Sequence, residues 1–212
     1  MRTMTKKRAE LFGGKLSYPA KMDCPSWGIP ATRCRVGSLL ASQEGTTCSG
    51  CYALKGTFRF KSVQKALEEN YQKLFDPLWT PAMAAIFRWE AEDRARLFVS
   101  GDVQGVNHLL NIIALARAVP ETVFWMPTRE IATLIEVERK LIDECLEWPE
   151  NLIARVSSPM VNGKPLNHRY TSTVVTESDE ETCPTSVEGG NCQKHGCTRC
   201  WYEEGNVAYL KH

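Results

Sequence analysis

Apolar and polar positions recur along this chain with two different periods, and the change from one to the other divides it. Over 62–75, Val63, Ala66, Leu67, Tyr71, Leu74 and Phe75 recur at the three- and four-residue steps of one helical face. Thr80-Pro81 reads as an N-cap followed by proline at the first helical position, opening a second helix that runs to about Asp93. Beyond it, short apolar runs alternate with helical stretches. LFVSGD (97–102), TVFWMPT (122–128), LIARVSS (152–158), STVVT (172–176) and NVAYL (206–210) predict strands, whereas 106–118 and 129–146 predict helices. Strands separated by such helices predict parallel βαβ units with right-handed crossovers. Five strands are too few for a closed eight-stranded barrel. The expected fold class is therefore α/β: an open or partial (βα) barrel with mostly parallel strands, flanked by a cysteine-rich N-terminal loop and a C-terminal cysteine loop. The expected organisation is a cysteine-rich segment over 1–61 within the same domain, a βα core over 62–182, and a cysteine loop with the last strand over 183–212.

Composition narrows the function classes. The 212 residues are 43% hydrophobic and 24% charged, with a net charge of +1. That near-neutrality argues against nucleic acid and membrane surfaces as partners. The basic start MRTMTKKRAE lacks the apolar stretch of a signal peptide, and no apolar run approaches the roughly 20 residues of a membrane span. The expected location is the cytoplasm, where thiols stay reduced and paired cysteines hold metal more often than disulfides. KGTFRFK (55–61) interleaves basic and aromatic residues in a way that can stack bases, but it is short, and the charge balance favours a solvated surface.

The chemistry lies in nine cysteines. Cys24, Cys34, Cys48 and Cys51 form one quartet, Cys183, Cys192, Cys197 and Cys200 a second, and each ends in C-x-x-C. Such a turn brings two thiolates to adjacent corners of one site, as zinc and iron–sulfur clusters both require. Structural zinc commonly takes two C-x-x-C knuckles, whereas each quartet here has one and two scattered singles. Scattered ligands favour the bulkier iron–sulfur cluster, one or two of them, with zinc as the alternative. His195, inside CQKHGC, reads as a loop histidine because four thiols already complete that site. Cys145 falls on an apolar helical face with Ile131, Leu134, Leu141 and Ile142, and is expected in the core.

Ligands of parallel α/β folds bind beyond the carboxyl ends of the strands. Ser100, Gly101 and Asp102 stand at one such end, Thr128 and Arg129 at another, Ser157 and Ser158 at a third, and Glu177 at a fourth. A shared rim of these residues suits a small-molecule ligand, with Asp102 taking an amine and Arg129 a carboxylate. Asp102 and Thr128 would serve equally as helix caps.

Several segments together carry a resemblance: GTTCSGCYALKG, RLFVSGDVQG, FWMPTRE, the terminal C-x8-C-x4-C-x2-CW and the closing VAYLKH. They resemble the phage gene-product-eighty-eight family over nearly the whole chain. The CYA element and the SGD strand end are in turn similar to those of radical S-adenosylmethionine (SAM) enzymes. In those enzymes three cysteines hold a [4Fe–4S] cluster with one open iron, and a GGE-like strand end holds the amine of SAM. The resemblance implies Cys48 and Cys51 as cluster ligands, Cys34 or Cys24 as the third, Gly101-Asp102 in place of GGE, and SAM as a cofactor. The chain departs from that pattern in lacking C-x3-C-x2-C. An electron carrier and a zinc-stabilised binding module remain the other expectations.

Overall fold

A computed structural model describes residues 4–91, 93–179 and 181–211; Glu92 of the expected second helix and the terminal His212 lie outside them. Six strands form one sheet: β1 (Ser26–Trp27), β2 (Arg94–Leu97), β3 (Val123–Thr128), β4 (Leu152–Val161), β5 (Tyr170–Val175) and β6 (Gly205–Leu210). All neighbouring pairs are parallel, and the spatial order is the sequence order. A sheet that never reverses its order winds one way, as a barrel does. β1 and β6 are its two edges, so it is open.

The helices are α1 (Lys6–Gly13), α2 (Val36–Ala41), α3 (Lys61–Lys73), α4 (Trp79–Glu90), α5 (Val106–Ala118), α6 (Ile131–Asp143), α7 (Pro184–Val187) and α8 (Arg199–Tyr202). The period of two along each strand sends alternate side chains to opposite faces. Ala95, Leu97, Phe124, Met126, Leu152, Ala154 and Val156 join the main core with α4, α5 and α6. Arg96, Trp125 and Arg155 occupy the alternate positions and turn to the other, inner face. There Trp125 packs with Cys24, Cys183, Cys200, Trp201 and Val207 in a second, smaller cluster. The cysteine-bearing chain ends cover this inner face.

Several expectations need correction. The run LFVSGD is not the second strand: β2 ends at Leu97, and Phe98 has a positive φ of 59° that breaks the pleat. Ser100, Gly101 and Asp102 therefore lie in the loop beyond it. α4 begins at Trp79 and ends at Glu90, so Thr80 and Pro81 sit inside its first turn, where proline costs no hydrogen bond. β4 runs on to Val161, which leaves Ser157 and Ser158 within a strand and not at its end. β4 and β5 are joined by 162–169 without a helix, the one link of the βα core that breaks the βαβ rule.

Cys145 is not core. α6 ends at Asp143, and Cys145 follows with φ of 53° while Leu146 N–H donates to Leu141 O (2.8 Å). This left-handed termination turns Cys145 into solvent. Ile142, 73% exposed, lies off the buried stripe of Leu134, Val137 and Leu141.

Candidate functional site

The two quartets are redistributed by β1. Cys24 precedes this strand and Cys34 follows it, so the two fall at opposite ends of the sheet. The β1–β2 register pairs Ser26 with Arg96 and Trp27 with Leu97, which places Cys24 beside the start of β2. Beyond the other end, Ile29 N–H donates to Ser100 O (3.0 Å), and the chain passes through Pro30–Arg33 to Cys34 at the rim. Cys34, Cys48 and Cys51 gather there, and Cys24 joins Cys183, Cys192, Cys197 and Cys200 on the inner face.

The rim set is built from three loops. The segment 45–51 lies across β4: Thr47 N–H donates to Pro159 O (2.9 Å), Val161 N–H to Gly45 O (2.9 Å), and Thr46 bridges to Met160. Arg129, just past β3, donates through Nη2 to Thr47 Oγ1, which anchors the residue before Cys48. Glu130 accepts from Val36 N–H (2.9 Å) and fixes the start of α2. Gly37 in that helix lies against the thiols: a Cβ there would stand 3.1 Å from Cys34 Cβ, 3.6 Å from Cys48 Sγ and 3.7 Å from Cys34 Sγ.

Burial pushes the Cys34 thiol up to about 12, with Asp102, Cys51 and Cys48 adding to it and Arg129 opposing. Burial likewise raises Cys48, and Arg129 is its strongest opposing neighbour. Such thiols keep their protons until a metal displaces them.

Asp102 is buried beneath this set. Its Oδ1 accepts from Val103 N–H (2.8 Å) and Thr128 Oγ1 (2.7 Å), and its Oδ2 from Arg129 N–H (2.8 Å). It ties the ends of β2 and β3 together and does not cap α5, whose N-cap is Gly105. Burial pushes its carboxyl up to about 6 against these three hydrogen bonds. The Ser100 hydroxyl and Arg129 Nε are buried without partners among the described residues. Ser157 is already engaged, its hydroxyl 2.9 Å from that of Ser172 on the inner face. Glu177 is exposed past β5.

Tyr52 links the rim to the inner face: its hydroxyl donates to Val99 O (2.7 Å) and accepts from Arg96 Nη2 (3.0 Å). Arg96 in turn stacks on Trp125, 4.4 Å from the ring centroid. The inner thiols lie around this pair. Cys24, Cys183 and Cys200 are buried and Cys192 and Cys197 half-buried, with Cys192 N–H donating to Lys21 O (3.0 Å) and so bringing the C-terminal loop onto the Cys24 segment. His195 is held by the chain itself, its Nε2 2.7 Å from Gly189 O.

Among the described residues, no three His, Cys, Asp or Glu side chains converge on a point that would hold a single metal ion. A multi-iron cluster asks for a looser set, because its thiolates bind different corners of a larger body. The donor chemistry of Cys34, Cys48 and Cys51 fits such a cluster at the rim. β1 and the rim role of Thr47 were missed in the sequence, β1 because two residues show no period.

Fold and site together define a cysteine-rich α/β protein with a one-way-wound open parallel sheet and thiols at both its rim and its inner face. The chain belongs to the phage gene product 88 family: the family model described as Gene product 88 matches residues 2–203. No curated protein and no solved structure matches it. Among the described residues, no helix is long and apolar enough to cross a membrane.

Proposed function

We propose that the protein is an iron–sulfur protein of the phage-infected host cytoplasm that resembles radical SAM enzymes, with its reactive cluster at the rim. The observation that supports this is the number of rim thiols: Cys34, Cys48 and Cys51 stand there without Cys24. A [4Fe–4S] cluster on three thiolates offers one iron to an outside ligand and supplies one-electron chemistry when reduced.

The protein's own groups suit a small zwitterion such as SAM. Arg129 Nε and the Ser100 hydroxyl are unpartnered donors for a carboxylate. Asp102 Oδ2 accepts one hydrogen bond and retains a lone pair for an amine. The Arg129–Thr47 contact holds the thiol loop against β3 and so fixes thiols and ligand groups relative to each other. Gly101 brings its backbone against Ile29, which leaves no room for a side chain at that turn.

Anaerobic purification with counting of iron and sulfide, followed by electron paramagnetic resonance of the reduced protein with and without SAM, tests the reading. The expected result is a brown protein whose signal changes on addition of SAM and loses that response in Cys48→Ala. Stoichiometric zinc in a colourless protein would favour the binding module. A cluster indifferent to SAM would favour the electron carrier.

A further inference from the structure

Arg155 is fully buried in the middle of β4, and it faces the inner thiols. Its Nη1 donates to Thr171 O and Gly205 O (both 2.9 Å), and its Nη2 to Arg199 O (3.2 Å) and Glu203 O (2.7 Å). All of these acceptors are main-chain carbonyls. Among the described residues no carboxylate forms an ion pair with Arg155, or with Arg96 on the same face, and the Nε atoms of both are buried without a partner. The indole N–H of Trp125, between them, is likewise buried and unpartnered.

A buried cation surrounded by carbonyl dipoles still lacks a counter-charge. An anionic body with several acceptor atoms would supply it and would satisfy the idle donors. A thiolate-ligated iron–sulfur cluster is such a body.

We infer that the inner face is a second, closed iron–sulfur site whose ligands come from both ends of the chain, Cys24 with Cys183, Cys192 and Cys197. This rests on the reading of the thiols as cluster ligands. Cys24 is brought there by β1 and by the bond from Cys192 N–H to Lys21 O (3.0 Å). Cys200 is the fifth thiol and stays outside the ligand set, its sulfur 3.0 Å from the Tyr209 hydroxyl and its helix gripped by Arg155. The site therefore differs from the rim set in having four thiolates and no open iron. Its place beside Arg96 and Tyr52 puts it on the path of contacts to the rim.

The test counts iron and sulfide in the anaerobically purified full chain and in Cys24→Ala, Cys200→Ala, Cys48→Ala and Cys192→Ala. Cys24→Ala should lose about half the iron, as Cys192→Ala does, while Cys200→Ala keeps all of it. Combining Cys24→Ala with Cys192→Ala should cost nothing further, and combining it with Cys48→Ala should remove the rest. Iron retained at the rim in Cys24→Ala shows that the variant folds. Full iron in Cys24→Ala, or additive loss with Cys192→Ala, overturns the assignment. If the rim reading alone fails, Cys48→Ala keeps all the iron and Cys192→Ala holds none, and Cys24→Ala must then be empty as well.

Discussion

His108 makes the stability of the core depend on pH. It is 4% exposed, with Trp27, Trp79 and Phe98 placed edge-on around it at centroid distances of 6.1, 5.5 and 5.8 Å. Gln104 N–H donates to its Nδ1 (3.1 Å), which fixes the neutral ring with its proton on Nε2. Burial lowers its pKa from 6.5 to about 3. Between these values the unfolded chain binds the proton and the folded chain does not. The contribution is therefore complete above the unfolded pKa and is lost as pH falls through the window below it. Each pH unit in that window removes about 1.4 kcal/mol, so that about 2 kcal/mol is gone at about pH 5. His108→Asn keeps an acceptor near Nδ1 and abolishes the titration, at the cost of a small cavity that weakens the fold at every pH. Urea unfolding followed by far-ultraviolet circular dichroism at about pH 7.5 and pH 5 measures the difference. The native chain should lose about 2 kcal/mol more between the two than the variant. Parallel losses would refute the account of a neutral, caged imidazole.

Three further outcomes are expected. Gly101→Ala places a Cβ 2.2 Å from Ile29 Cγ1 at φ of +84°, and should cost about 2–5 kcal/mol; Gly56→Ala, with φ of +52° and open space around it, should cost about 1 kcal/mol, and equal melting temperatures for the two would contradict the clash. Arg155→Met strips donors from the main-chain carbonyls of Thr171, Gly205, Arg199, Cys200 and Glu203 and should destabilise by about 3–5 kcal/mol, read as a fall of about 10 °C in Tm; a melt within about 2 °C of the native chain would sink the idea. Alkylation of the native, metal-loaded protein should modify Cys145 first, and Cys145→Ser should leave iron content unchanged; loss of iron would make this thiol a ligand.

Much of the fold was legible because long elements have a period. α3, α5 and α6 and strands β3 to β6 follow from apolar spacing to within a few residues. What was not legible depended on partners distant in sequence. β1 is two residues long and is a strand only because β2 lies beside it. That strand sets Cys24 beside the C-terminal thiols, whereas proximity in sequence groups it with Cys34, Cys48 and Cys51. The cap expected of Asp102 is overturned, since its carboxylate joins the ends of β2 and β3, which needs Thr128 and the Arg129 amide to be seen beside it. Cys145 shows the opposite failure, in which a helical period was carried two residues past the end of the helix.

The sequential strand order also sets a timetable. During synthesis the rim thiols have all emerged by residue 51, and their supports at β3 follow by Arg129. β4, against which the thiol loop lies, is complete at Val161. Cys24 must wait until the chain has been made through Cys183 to Cys200 before it meets the thiols it packs with. The two thiol sets are thus brought together at different stages. A chain stopped after β5 would present a nearly finished rim above a bare Trp125 and an unmatched Cys24, a state for chaperones and proteases to recognise as incomplete.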